Sequence, residues 1–388
     1  MPAKQDIPTL TGLRGAAALW VAAYHLLLPA GFATGATADM LGRGYLAVDL
    51  FFVLSGFVMA LTYGAEFRDA PDPRSIAAFL VRRIARLYPL YGLILLFRFA
   101  YTAIRYGGFD LPRPWIAAPM DNPIIGIPAN LLLVQAWGVA GSSIGTAWSI
   151  STEWGAYFVF PLLAVLILWR GWKEAAATIG CALALIAAVC AADASGGYHA
   201  GLLDAWDGMS AGPLMRCLAG FAIGMCVWRL SRRPAVAHWA GKWWSSAAVL
   251  LVLAGLLGAG APDLAIYPVF PVLVLCLACT RSTNMFAARP LVWLGEISYA
   301  LYLLHIFLLH PLDVTRAAAR DVLPAGQADV VAPVLMFGLL LAASHLAYRH
   351  IEKPGRALIL RLGTRLLQQG PSQPRQKPPM LPSLTSNT

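Results

Sequence analysis

Long apolar runs dominate this sequence and set most of what it can become. They occupy approximately residues 10–30, 44–64, 87–106, 147–169, 175–194, 211–229, 246–260, 264–280, 293–312 and 330–349. Crossing a hydrocarbon core takes about 20 helical residues, and several of these runs reach that length. Burial in a water-soluble fold is excluded by composition. Apolar residue types make up 59% of the chain and only 12% is charged, too little polar surface to cover such a core. In lipid, backbone groups must bond within their own segment. The expected fold is therefore all-α: a polytopic transmembrane helical bundle of about ten spans. Segment 124–138 is apolar but short and follows a proline-rich stretch at 111–123, so one additional re-entrant or interfacial segment is expected there.

The net charge of +10 points to topology and away from nucleic acid, because the basic residues fall at the ends of apolar runs and form no single face. With the N-terminus inside, 21 of the 29 Lys and Arg collect on the inner side and five (Arg43, Arg105, Arg113, Arg316, Arg320) on the outer side. Three more, Arg14, Arg98 and Arg216, lie within spans. Making 124–138 a full span would invert everything after it and spoil this bias. Both termini are thus expected in the cytoplasm, in a bacterial inner membrane. Arg14 interrupts the first run, which reads as a span and not as a cleaved signal peptide. Residues 1–365 are expected to form one membrane domain, and the Pro-, Ser- and Gln-rich residues 366–388 a disordered cytoplasmic tail. Cys276 and Cys279 sit three apart within a span without His or acidic neighbours, a pattern that suits packing and not a metal site.

An ionisable side chain inside a span costs from about 3 to above 10 kcal/mol, so each is a functional candidate. Arg14 and His25 are eleven residues apart, which returns them to nearly the same helical face about 16 Å apart along the axis. They can line one polar track; alternatively, Arg14 snorkels to headgroups and His25 bonds a backbone carbonyl. Asp49, in GYLAVDLFFVLSGF (44–57), is placed to orient His25, or to pair structurally with Arg43 or a helix terminus. Glu153, in TAWSISTEWGAYFVFP (146–161), shares a face with Ser149 and is either a catalytic carboxylate or a hydrogen-bond anchor. Ser298, Tyr302 and His305 form another polar stripe in ISYALYLLHIFLLHP (297–311), suited to interhelical bonding or to lining a channel. Arg83 and Arg86 precede Tyr88–Pro89, where topology alone accounts for positive charge and phosphate binding is the second reading.

These segments, taken in order, resemble the acyltransferase 3 family of membrane acyltransferases that modify cell-surface glycans, lipids and antibiotics. The resemblance runs through LTGLRGAAALWVAAYH (10–25), GYLAVDLFFVLSGF, RRIARLYPLY (82–91), the TAWSISTEWGAYFVFP run, LGEISYALYLLH (294–305) and YRHIEKP (348–354). One departure concerns the residues after Trp148–Ser149: the family often has two consecutive acidic residues there, whereas Glu153 is followed by Trp154. Many family members also carry a soluble hydrolase-like domain after the membrane domain. Its absence from this sequence leads to the expectation that acceptor selection falls to this chain or to a separate periplasmic partner.

The resemblance implies transfer of an acyl group, usually acetyl, from cytoplasmic acyl-CoA to a hydroxyl at the outer face. Acyl-CoA would be a co-substrate, with no bound cofactor or metal. His25 matches the family's catalytic histidine and Arg14 its paired arginine; Arg83 and Arg86 match the arginines thought to hold the donor. Asp49 and Glu153 would be orienting groups. The expected acceptor is a surface polysaccharide or lipid-linked saccharide held near segments 107–123 and 195–210, with a small secreted metabolite next. The competing reading is a transporter or flippase using Arg14, His25 and Asp49 as a polar track, although no internal duplication of the usual kind is evident.

Overall fold

The computed structural model describes residues 7–28, 34–68, 71–106, 123–193, 201–204, 210–280 and 284–369. The ordered elements among them are all helical. In chain order they are α1 (Pro8–Leu27), α2 (Ala36–Gly42), α3 (Ala47–Tyr63), α4 (Pro73–Tyr106), α5 (Pro123–Leu131), α6 (Ala147–Leu163), α7 (Trp172–Asp193) and α8 (Gly212–Ser231). They continue with α9 (Pro234–Ala240), α10 (Trp243–Gly258), α11 (Asp263–Ile266), α12 (Val269–Cys279), α13 (Arg289–Leu304), α14 (Leu309–Val322), α15 (Ala325–Ala347) and α16 (Lys353–Gln369).

The chain is a multi-pass membrane protein, with fewer clear spans than the sequence led us to expect. Seven helical stretches are long and apolar enough to cross a bilayer, and the bent pair α9–α10 makes an eighth if it is one span. The expectation of about ten is reached only to that extent. The difference lies in α1, whose 20 residues include Arg14 and His25, and in the shorter stretch Asp263–Cys279. Helix α4 begins at Pro73, well before the expected span at 87, so Arg82, Arg83 and Arg86 are themselves helical. Segment 124–138 forms only the nine-residue α5 and turns, too short to cross. Asn130 fastens this excursion: its amide donates to the Gly126 and Gly141 carbonyls, and its oxygen accepts from the Ser143 N–H. These bonds supply what irregular backbone at membrane depth requires. Helix α16 runs through Gln369, four residues into the expected tail; residues from 370 onward, and the candidate acceptor segments at 107–122, 194–200 and 205–209, lie outside the described residues.

Two close helix crossings carry the centre of the bundle. Helices α1 and α13 touch backbone to backbone: a Cβ added at Gly295 would fall 1.9 Å from the Thr11 carbonyl oxygen. Helices α3 and α8 do the same, since a Cβ at Gly56 would fall 1.9 Å from the Phe221 carbonyl oxygen. Among lipid tails there is no hydrophobic drive between helices, and small residues that permit such contact are what hold them together. At the arginine-rich end, Tyr63, Phe67, Phe79, Tyr157 and Phe160 interlock edge to face, and α16 lies along α4 with Gly355 against Pro89 and Gly363 against Val81.

Candidate active site

The α1–α13 crossing places Arg14. Its Nε and Nη2 both donate to the Gly295 carbonyl, at 3.1 and 2.7 Å, and the Ser298 hydroxyl donates to the same oxygen at 2.9 Å. Arg14 therefore turns inward and does not snorkel to headgroups. Among the described residues no carboxylate pairs with it directly; Glu153, Glu352 and Arg86 are the charged groups within its electrostatic reach.

Further along α1, the Nδ1 of His25 lies 3.0 Å from the Val21 carbonyl. A carbonyl oxygen can only accept, so this contact assigns the neutral-ring proton to Nδ1 and leaves the lone pair on Nε2. The two readings of His25 thus merge: one nitrogen is satisfied by backbone, and the other is available for chemistry. The His25 ring keeps accessible surface and packs 4.7 Å from Tyr24 and 4.9 Å from His305 between ring centres.

His305 begins the 3-10 turn His305–Leu308 that interrupts the helix between α13 and α14. It is fully buried, and among the described residues neither ring nitrogen has a hydrogen-bond partner. The Leu301 and Tyr302 carbonyls lie close to the ring, but neither meets hydrogen-bond geometry. Leaving a buried polar atom unpaired costs about 1–3 kcal/mol. Its neighbour Tyr302 is satisfied by a 2.7 Å bond to Ser149, which in turn donates to the Thr146 carbonyl. The two stripes expected from the sequence therefore meet, Ser149 with Tyr302 and Ser298 with the Arg14 carbonyl.

The carboxylates depart from expectation. Asp49 neither orients His25 nor pairs with Arg43. Both its oxygens are taken by Arg216, Nε to Oδ1 at 2.7 Å and Nη2 to Oδ2 at 2.6 Å, in a pair fully enclosed between α3 and α8. Arg43 instead binds Tyr45 and Asp263. The Gly56 crossing packs α8 closely against α3, the helices that carry Arg216 and Asp49. Glu153 accepts from Ser55 and, at 2.6 Å, from Tyr157, the geometry of an anchored carboxylate facing the interior.

The two motif arginines also have partners of their own. Arg83 is only 8% exposed; it donates to the Tyr63 hydroxyl at 2.6 Å and lies over the rings of Tyr63, Phe79 and Tyr157. Arg86 pairs with Glu352 at 2.6 Å and covers the Tyr299 ring, yet keeps about a quarter of its side chain accessible. Glu352 is buried and its second oxygen has no partner. One turn on, Arg356 is exposed, with Arg86 and Arg83 as charged neighbours, and no ion pair holds it. Three of these residues carry roles that residue patterns alone missed. Arg216 stands out as an in-span charge without revealing its partner, and Glu352 and Arg356 belong to or follow the YRHIEKP run.

Arg14 and His25 on α1, Arg86 on α4, Glu153 on α6 and Tyr299 on α13 each retain accessible surface. Arg86, Glu153 and Glu352 are the charged neighbours of Arg14, and Arg86 lies over the Tyr299 ring. The family model described as an acyltransferase domain matches residues 7–349, almost the whole described bundle. The chain belongs to the acyltransferase 3 family. It is 30% identical to the acyltransferase MdmB of Streptomyces mycarofaciens over 327 residues, covering 78% of this chain and 79% of that protein. It is 23% identical to the peptidoglycan O-acetyltransferase OatA of Listeria monocytogenes over 385 residues, covering 91% of this chain and 56% of that protein. The putative membrane-bound transacylase BcsY of Komagataeibacter xylinus is 26% identical, with 76% and 71% covered. The chain thus spans little more than half the length of OatA. No solved structure matches it. Membership of the acyltransferase 3 family makes the protein an enzyme of acyl transfer, and the transporter reading falls away.

Proposed function

We propose that this acyltransferase moves an acyl group, most simply acetyl, from cytoplasmic acyl-CoA to a hydroxyl of a glycan at the outer face of a bacterial inner membrane. The observation that carries this reading is the group of Arg86, Glu153 and Glu352 around Arg14, which lies on the same helix as His25. CoA is polyanionic and does not cross a bilayer. Its phosphates would rest at the arginine-rich end, which the charge bias assigns to the cytoplasm. The pantetheine arm would extend inward past Arg86 and Arg14, bringing the thioester to Nε2 of His25. Arg14, with no carboxylate of its own, stabilises negative charge that develops on the thioester oxygen in a site of low dielectric. Arg83 shapes the entrance from within its aromatic cage, whereas Arg86 and Arg356 face the donor.

The acceptor we favour is a surface polysaccharide or lipid-linked saccharide; the peptidoglycan named for OatA is one such polymer, and a separate periplasmic partner would suit onward transfer. The reading is tested by sidedness. Acetyl-CoA labelled in the acetyl group is supplied to sealed vesicles of either orientation that carry the protein. Label should appear in alkali-labile ester only when the donor meets the arginine-rich face. Equal labelling from both sides would contradict the proposed path.

A further inference from the structure

Among the described residues around His25, His305 stands out as a fully buried polar side chain with no hydrogen-bond partner. Within the membrane a histidine whose two nitrogens are both bare gains nothing over leucine or phenylalanine as packing, and buried polar groups in folded proteins are almost always paired. The ring centres of His25 and His305 are 4.9 Å apart. The rings are tilted by 43° and share no N–H···N bond, since both His305 nitrogens are unpartnered among the described residues; at this separation a hydroxyl attacking a group on one ring lies within reach of the other.

The chemistry at His25 leaves a second base to be found. Its Nδ1 proton is committed to the Val21 carbonyl, and Nε2 holds the one free lone pair. If Nε2 takes the acyl group, His25 has no lone pair left with which to deprotonate the acceptor. The other groups nearby are unsuited to that task. Asp49 is spent on Arg216, Glu153 is held by Ser55 and Tyr157, and the Tyr302 hydroxyl is bonded to Ser149. Tyr24 carries a phenol, which is not a base near neutral pH. Among the described residues, His305 alone combines an unpaired imidazole lone pair with contact to the His25 ring.

Resting on the acyltransferase reading above, we propose that the two histidines divide the reaction: His25 carries the acyl group and His305 is the base that takes the acceptor's proton. In the first step Nε2 attacks the thioester carbonyl carbon, the N–C bond forms and the C–S bond breaks. The sulfur leaves as thiolate while Nδ1 keeps its proton against Val21. The acyl-imidazolium so formed is a reactive acyl donor. In the second step the acceptor oxygen attacks the acyl carbon, the O–C bond forms, and the N–C electron pair returns to Nε2. The hydroxyl proton passes to the lone pair of His305. His305 then releases it, balancing the proton that the thiolate takes up. Because His25 keeps accessible surface and His305 has none, the rings act in that order, the acyl group on His25 bringing the acceptor against His305. A two-step route also lets CoA depart before the acceptor enters from the opposite face.

The test separates the half-reactions in native membranes, which contain the natural acceptor. Exchange of labelled free CoA into acetyl-CoA reads the first step, and alkali-labile acetyl ester reads the whole. His305→Phe keeps a ring of similar shape, and His305→Gln keeps polarity; neither supplies a base. Both should retain exchange within about threefold and lose ester formation by at least about a hundredfold, the usual span of a general base. Label should then remain on the peptide containing His25. If His305→Phe makes ester normally, His305 is only packing and the proposal is overturned; equal loss of exchange and ester in both variants overturns it as well. Ester formation by the parent without exchange would mean direct transfer, ending the division of labour while leaving the acyltransferase intact. A parent that makes no ester takes the broader reading down with it.

Discussion

Asp49 and Arg216 form a two-point ion pair, sealed between α3 and α8, in which each side chain satisfies the other. A carboxylate used in this way holds helices together and does not meet substrate. Breaking a buried pair from one side typically costs about 3–5 kcal/mol, because the remaining charge is stranded. Asp49→Asn should lower the melting temperature of the detergent-solubilised protein and reduce its yield, and Asp49→Leu with Arg216→Leu should recover much of the loss. If Asp49→Asn melts like the parent but loses ester formation, Asp49 belongs to the chemistry after all.

The α1–α13 crossing makes a prediction about activity without touching any reacting group. In Gly295→Ala the new methyl meets the Thr11 carbonyl oxygen. Overpacking of this kind costs about 1–3 kcal/mol and moves Arg14 relative to His25. Small misplacements of positioning groups can cost about a hundredfold in rate. The variant should therefore insert in the membrane but make ester at least about tenfold more slowly. A parent-like rate would show that Arg14 placement is not set by this contact.

Donor binding should depend on Arg356 more than on other exposed cations of α16. A charged hydrogen bond is worth about 1.5–3 kcal/mol, so Arg356→Ala should raise the KM for acetyl-CoA roughly tenfold or more with little change in kcat. Acetyl-pantetheine, which lacks the phosphates, should not register the change. Arg361→Ala, five residues beyond Arg356 on α16, is the control and should stay within about twofold of the parent. An equal penalty for both donors would place Arg356 outside the phosphate site.

Much of this molecule is legible in its sequence, for identifiable reasons. Apolar run length determines where helices lie, and the eleven-residue spacing puts Arg14 and His25 on one face of α1. The count of spans is less legible, because α1 and α12 balance polar or helix-breaking residues against length. What local pattern cannot show is partnership across the bundle. Asp49 finds Arg216 and Arg86 finds Glu352, 167 and 266 residues away, and neither choice leaves a trace in the neighbouring residues. Arg83 likewise looks like a surface cation until Tyr63, Phe79 and Tyr157 close around it. His305 is visible as part of a polar stripe; only packing reveals that its nitrogens are bare and that it sits against His25.

The central claim, that acyl transfer runs through the free nitrogen of His25, is tested most directly by one comparison. Membranes holding equal amounts of folded parent and His25→Gln are given acetyl-CoA labelled in the acetyl group, and alkali-labile ester is measured over time. We expect the parent to accumulate ester and His25→Gln to fall by at least about a thousandfold, since nucleophile and base functions are removed together. Ester formation by His25→Gln at the parent's rate would contradict the account.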